Sequence, residues 1–246
     1  MSAVRWPLVR EVLRKDLEEI ARSRQLLYPL FVLPVFLTGD ALLVFSTSVL
    51  SHNNPRLGLG DAFFSFASFL LVLPVILPIL LGSAAVVMEK TNHTLESLLS
   101  TPLTDTELLV GKSLGPLVPA MALTAASYAV YGVGAELLVR SHAPGASLPW
   151  GSFLLTGLLL APLLGLLATF VAIAVSTKAK DVRSAQQLAS LVLLPLLIPL
   201  ILIGIALGPM PLYQLALAAA VAALALLVLR VTTLRFHRDQ ILVAGV

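Results

Sequence analysis

The chain has 246 residues, of which 58% are hydrophobic and only 12% are charged. An ordinary globular domain has about twice that share of charged residues, and a soluble fold of this size could not hide so much apolar surface from water. The composition therefore excludes a soluble globular protein and a disordered chain, and it indicates a protein whose solvent is the lipid bilayer. Because the sequence contains no cysteine, disulfides, thiol nucleophiles and cysteine-bound metals are excluded as well.

The first 25 residues are predicted to form an amphipathic helix. Apolar residues recur at helical spacing along one face: Trp6, Val9, Leu13, Leu17 and Ile20. Charged residues occupy the opposite face, and their mixture of basic and acidic side chains argues against a signal peptide. A helix with this pattern is typical of a segment that lies along the inner membrane surface, and packing against a soluble partner subunit is the alternative.

Six apolar segments follow, each long enough to cross a bilayer, which takes about 20 residues of helix. Their approximate bounds are 26–49, 62–88, 113–135, 152–176, 188–207 and 212–230. The last two are one long uncharged run, which we divide at the turn signal Gly208-Pro209. We therefore predict an all-α, polytopic membrane protein: an interfacial helix at 1–25, a six-helix transmembrane domain at 26–230 and a tail at 231–246.

The basic residues predict the orientation of these helices. With the N-terminus inside, 14 of the 16 basic residues fall in the inner segments, and only Arg56 and Arg140 fall in the outer ones. An excess of lysine and arginine marks the cytoplasmic side, so both termini are predicted to be cytoplasmic. The net charge of +3 then reflects this asymmetry and contact with anionic headgroups. Nucleic-acid binding is not expected, because it needs a basic stripe on a soluble face.

The segment 89–112, which joins the second and third spans, carries the most specific pattern. Three leucines share one helix face because they are three and four residues apart: Leu95, Leu98 and Leu99. Thr101-Pro102 should end that helix, and Thr104 with Glu107 forms a capping box that should begin the next one. The pattern predicts a short amphipathic helix on the cytoplasmic side. A connector that lies on the membrane without a partner is the alternative.

This segment resembles the inner loop of the ABC-2 type permeases, the membrane subunits of a class of ATP-binding-cassette exporters. The matching residues are Glu89-Lys90, Thr94-Leu95-Glu96, Leu98-Leu99, Thr101-Pro102-Leu103, Glu107-Leu108-Leu109 and Gly111-Lys112. The family usually has glycine where this chain has His93. The second inner loop, 177–187, also resembles the family and contributes Asp181, Arg183 and Gln186.

The resemblance implies that the segment 89–112 contains a coupling helix, which docks in a cleft of a separate ATPase subunit. The leucines would fill an apolar groove, and Glu89, Lys90 and Glu96 would form its polar rim. It further implies an exporter in the cell membrane that moves an amphiphilic cargo outward. Two copies of the chain, or one copy and a paralogue, would surround a two-fold axis.

The same resemblance implies a transport subunit that is not itself an enzyme. ATP and Mg²⁺ would be bound by the partner ATPase, so no cofactor is expected in this chain. Gly111-Lys112-Ser113 matches the end of a P-loop, but Thr106 stands where that motif needs glycine. The alternative function is a secondary carrier or a membrane anchor that works without an ATPase.

Two carboxylates, Asp40 and Glu136, lie nearest the predicted bilayer interior. Charges inside a membrane are costly, so they indicate a functional site, here a polar lining at the outer mouth of an export path. The alternative is that both side chains lie at the outer interface and are hydrated. The second, fourth, fifth and sixth spans contain no acidic or basic residue, which weakens the carrier alternative.

Overall fold

The computed structural model describes residues 6–51, 58–91, 105–176 and 179–235. Nearly all of these residues are helical, and none of them forms a β-strand. The helices are α1 (Trp6–Arg22), α2 (Arg24–Ser51), α3 (Leu59–Phe69), α4 (Leu73–Thr91), α5 (Asp105–His142), α6 (Trp150–Leu155), α7 (Ala161–Ser176), α8 (Val182–Leu207) and α9 (Pro211–Arg235). A 3₁₀ turn at Leu70–Val72 joins α3 to α4, and a π-helical segment at Thr156–Leu160 joins α6 to α7.

Six stretches of these helices are long and apolar enough to cross a membrane. We number them spans one to six: Arg24–Leu50, Leu59–Ala84, Gly111–His142, Trp150–Ser176, Val182–Leu207 and Pro211–Val231. The predicted all-α architecture with six candidate membrane spans is therefore confirmed. Because each span crosses the bundle, successive spans follow one another in opposite directions, and we call the end of the bundle that carries α1 the α1 end.

The break between spans five and six lies where the sequence predicts it. Gly208 ends α8 with φ at 64°, in the left-handed region that favours glycine. Pro211 is the first residue of α9, a position where the missing N–H of proline costs nothing. Span five, however, begins at Val182 rather than near residue 188, because Asp181 caps the helix before its apolar part starts.

Span two is not one uninterrupted α-helix. The 3₁₀ turn Leu70–Val72 lies just before Pro74, which has no N–H to donate to the Leu70 carbonyl. The Leu73 N–H donates to that carbonyl instead. This hydrogen bond spans three residues rather than four, so the helix is locally a narrower 3₁₀ turn. Span two therefore consists of α3, the 3₁₀ turn and part of α4.

Spans two and four are the most buried spans, and they hold the bundle together. One apolar core joins α1 and spans one, two and three with the start of span four. A second core joins spans two, four, five and six. Spans one, five and six turn large apolar side chains outward, among them Tyr28, Val35, Leu191 and Leu212. Such outward faces suit contact with lipid rather than with water.

An aromatic cluster links four spans near the end of the bundle opposite α1. The ring of Tyr131 on span three stacks on Phe63 of span two, with the ring centroids 5.4 Å apart. The Tyr131 hydroxyl donates to the Phe63 carbonyl at 2.9 Å, and the Tyr128 hydroxyl donates to the Ala67 carbonyl at 3.0 Å. Phe45 of span one and Phe153 of span four also belong to the cluster.

Candidate functional site

Two glycines in the first turns of span three allow helix α1 to pack closely against that span. A Cβ atom at Gly115 would lie 2.8 Å from the Cβ of Asp16, and one at Gly111 would lie 3.2 Å from the Cβ of Val12. Glycines four residues apart lie on one helix face, where they allow another helix to approach closely. Val12 and Asp16 have the same spacing on α1, so the two pairs fit together.

A buried ion pair crosses this contact. The Lys112 Nζ atom lies 3.8 Å from the Asp16 Oδ1 atom, and the two side chains are only 8% and 3% exposed. A charge is costly to bury unless an opposite charge accompanies it. Lys112 is the last residue of the segment 89–112, so the pair attaches α1 to the end of that segment.

The buried face of α1 differs from the predicted apolar stripe. Val12, Asp16 and Ile20 are buried, whereas Leu13 and Leu17 are only half-buried. Helix α1 is therefore rotated about its axis relative to the prediction. Its face with Val12 and Asp16 packs against the two glycines of span three, and the middle of the predicted apolar stripe is turned partly away. The sequence predicts that the charged residues of α1 lie opposite its apolar face, so the burial of Asp16 departs from that prediction. The spacing Gly111-x-x-x-Gly115 was the available signal for this close packing, and no prediction was based on it.

The predicted coupling segment is described at its two ends. Glu89 and Lys90 lie in the last turn of α4, and Glu107 lies in the first turn of α5. Gly111 and Lys112 contact α1, as described above. The other predicted residues lie outside the described part of the chain: Thr94, Leu95, Glu96, Leu98, Leu99, Thr101, Pro102 and Leu103. Their role as an ATPase-docking helix stays a prediction.

In the second inner loop, Asp181 is the N-cap of α8. Its carboxylate accepts hydrogen bonds from the Ser184 backbone N–H at 2.8 Å and from the Ser184 hydroxyl at 2.6 Å. These hydrogen bonds, first from the side chain and then from the backbone, lower the pKa of Asp181 below its usual value. The charged form of Asp181 therefore stabilises the start of span five.

This cap should make folding stability depend on pH. Because the pKa of Asp181 is lowered by folding, its stabilisation is present above the unfolded pKa and is lost as the pH falls through the folded pKa. Asp181→Ala should lower the unfolding midpoint at neutral pH and weaken its decline on acidification. Asp181→Asn keeps a capping oxygen without the titration, so it should retain more stability than alanine. Equal midpoints for the wild type and Asp181→Ala at neutral pH would contradict the capping role.

Arg183 and Gln186 line a cavity of about 470 Å³ between spans two and five. The Gln186 side-chain amide donates to the Leu80 carbonyl of span two at 3.4 Å. The rest of the lining is mostly apolar, with Gln187 and Ser190 as further polar residues. The structure thus places two of the predicted loop residues beside span two, while Asp181 acts within its own helix.

The two predicted path carboxylates have different surroundings. Asp40 is exposed on span one. The Glu136 Oε1 atom lies 2.8 Å from the Arg140 Nε atom one turn later on span three, and Arg140 is largely exposed. Their role in an export path stays a prediction. In the residues that the structure describes, no group of three histidine, aspartate or glutamate side chains could hold a metal ion.

The comparison with protein families bears on both the bundle and the α1 contact. A sequence model of the ABC-2 family transporter proteins matches residues 10–214. The chain belongs to this family. The match extends from α1 to the first turn of span six. It therefore includes Val12 and Asp16, which contact span three, as well as the segment 89–112 and the second inner loop. A comparison with curated proteins gave no match.

Membership in the ABC-2 family confirms the resemblance inferred from the residues of the inner loop. Members of this family are membrane transport subunits rather than enzymes themselves. With its six apolar spans, the chain is a multi-pass membrane protein of an ABC transporter. We call the contact of Val12 and Asp16 on α1 with Gly111, Lys112 and Gly115 on span three the α1 junction.

Proposed function

We propose that this chain is the permease subunit of an ATP-driven exporter in the cell membrane, with both termini cytoplasmic. The family match over residues 10–214 is the observation that carries the proposal. ATP and Mg²⁺ are bound by a separate ABC ATPase subunit, and this chain contributes no cofactor site. The cargo is an amphiphile, and a second copy or a paralogue completes the path. The outward, weakly buried spans one, five and six leave room for that neighbour.

The α1 end supplies a mechanical route for the coupling. The segment 89–112 begins in the last turn of α4 and ends at the start of span three, and span three contacts α1 through the Asp16–Lys112 pair. Only Ser23 separates α1 from α2, so α1 is nearly continuous with span one. A force on the segment 89–112 would therefore reach spans two, three and one together. Binding of two ATPases would draw the coupling helices of two copies towards each other and tilt these spans.

The docking assignment is tested by purifying the tagged chain in mild detergent from cells that express it natively. We expect an ABC ATPase, identified by mass spectrometry and by ATP hydrolysis, to purify with the wild type. Leu98→Asp/Leu99→Asp should reduce its amount by about tenfold or more, because charged side chains would have to enter an apolar groove. Leu98→Met/Leu99→Met is the matched control, since it keeps the apolar volume, and it should retain the ATPase.

Two results would contradict the proposal. A monodisperse permease that brings down no ATPase would favour the anchor or carrier alternative, and transport that persists without nucleotide would identify the carrier. An ATPase that stays bound to the double aspartate variant would remove the coupling role from Leu98 and Leu99. Gel filtration of each variant shows that loss of the ATPase is not a loss of folding.

A further inference from the structure

The cavity of about 470 Å³ between spans two and five is a groove that begins at the α1 end of the bundle. Arg183 lines it in the first turn of span five, and the groove follows one face of that span as far as Leu194. Leu194 comes 11 residues after Arg183, which corresponds to roughly 16 Å of helix rise. The hydrocarbon core of a bilayer is about 30 Å thick, so the groove has the length of one leaflet.

The walls of the groove change from polar to apolar with depth in the bilayer. From the α1 end inwards, span five contributes Arg183, Gln187, Ser190, Leu191 and Leu194 at helical spacing. Span two contributes only apolar side chains, which are Ile76, Ile79 and Leu80. An occupant that fits this gradient has a polar head at the α1 end and an apolar body towards the centre of the bilayer.

The polar side chains of span five are concentrated in this groove. Beyond Ser184 the span has three of them, and all three line the groove: Gln186, Gln187 and Ser190. Leu188 lies beside Gln187 but outside the groove, and it is an exposed apolar residue that suits contact with lipid chains. A polar side chain that faces hydrocarbon without a partner is costly. The groove therefore favours an occupant with polar groups at these depths over acyl chains alone.

The charge at the mouth of the groove is positive. Of the described residues that line it, Arg183 alone is charged, and its side chain is exposed. Asp181 is two residues away, so it points to another side of the helix, and its carboxylate accepts hydrogen bonds from Ser184. A guanidinium can donate two parallel hydrogen bonds to one phosphate group. A zwitterionic headgroup would bring its own cation beside Arg183, so a net anionic headgroup is the better match.

We propose that this groove binds an anionic phospholipid from the leaflet at the α1 end. The phosphate accepts hydrogen bonds from Arg183, the ester carbonyls accept them from Gln187 and Ser190, and an acyl chain fills the apolar depth. Leu191 on the rim is 70% exposed, so the groove is open sideways to the bilayer from which the lipid enters. The inference concerns a bound lipid and does not rest on the export function.

Photo-crosslinking in nanodiscs tests the site. The chain is placed in phosphatidylcholine nanodiscs that contain a small fraction of phosphatidylglycerol with a diazirine in its acyl chain. After irradiation, mass spectrometry gives the ratio of labelling around Leu194 to labelling around Phe36, an outward residue at a similar depth of span one. We expect this ratio to be about fivefold higher than with diazirine phosphatidylcholine, and unlabelled phosphatidylglycerol should lower it.

Three variants identify the groups that bind the lipid. Arg183→Gln should remove the excess of the phosphatidylglycerol ratio, a loss of about fivefold. Arg24→Gln is the matched control, because Arg24 is also exposed in the first turn of its span but does not line the groove, and it should leave the ratio unchanged. Gln187→Leu/Leu188→Gln moves the amide out of the groove at constant composition, and it should lower the ratio about threefold.

Four results would overturn the inference. Equal ratios for the two lipids would identify the occupant as bulk lipid, and an excess that Arg183→Gln leaves unchanged would remove the headgroup contact. Labelling around Phe36 without labelling around Leu194 would show that protein, such as a second copy, covers the groove. An excess that inorganic phosphate abolishes would assign the site to free phosphate. The labelling needs no ATPase, so its failure is distinguishable from a failure of the proposed function.

Discussion

Lys112→Met is expected to lower the free energy of unfolding by about 3 kcal/mol, because it removes the cation that accompanies a buried carboxylate. Asp16 is 3% exposed and lies 3.8 Å from Lys112, so water does not replace the lost partner easily. The loss should release α1 first, since the pair attaches that helix to span three. Reversible unfolding in mixed micelles gives the free energy, and limited proteolysis near Arg22 reports the release of α1.

Arg14→Met is the matched control for the loss of the buried charge. Arg14 also pairs with a carboxylate, Glu18, but its side chain is 82% exposed. Such surface pairs contribute about 0 to 1 kcal/mol, so this variant should unfold nearly as the wild type does. Asp16→Asn/Lys112→Met should lose less stability than Lys112→Met alone, because neither charge remains buried. If Lys112→Met and Arg14→Met lose the same amount, the pair does not hold α1.

Tyr131→Ala is expected to cost about 3 to 5 kcal/mol of unfolding free energy, the range found for removal of a large buried aromatic side chain. The Tyr131 ring is fully buried and stacks on Phe63, and its hydroxyl donates to the Phe63 carbonyl. Removing the ring leaves a cavity where spans one to four meet, and lipid cannot reach that cavity to fill it. Tyr131→Phe removes only the hydrogen bond and should cost about 1 kcal/mol.

The matched control for Tyr131 is Tyr28→Ala. Tyr28 lies on the outward face of span one and is 73% exposed, so its loss leaves no internal cavity. Its replacement should change the free energy of unfolding by less than about 0.5 kcal/mol. The same mixed-micelle unfolding measures both variants. A loss for Tyr131→Ala that does not exceed the loss for Tyr28→Ala would show that the aromatic cluster does not stabilise the bundle.

The number and order of the spans could be predicted because lipid imposes a simple requirement: each crossing needs a long apolar helix. The ends of the helices could not be predicted in the same way. Span three was predicted to start near residue 113, but α5 begins at Asp105, because a helix continues into water where charges are tolerated. The uncharged stretch marks the membrane, whereas caps such as Asp181 mark where a helix begins.

The contacts between distant helices were harder to predict than the helices. A charged residue on an amphipathic helix is usually solvated, so the burial of Asp16 against Gly115 could not be predicted from the helical pattern. The family could be inferred from the inner loop because its matching residues are contiguous. The α1 junction unites residues that lie far apart in the chain.

The π-helical segment Thr156–Leu160 has a consequence for how span four can vary in length. A π turn holds one residue more than an α turn, and the helices on both sides keep their faces towards the same neighbours. Elsewhere in a span, removing one residue would rotate everything beyond it by about 100° and turn buried side chains towards lipid. Within Thr156–Leu160 the lost residue would convert the wide turn to an ordinary one. Span four thus has a position where a one-residue deletion can be absorbed locally, without repacking the bundle around it.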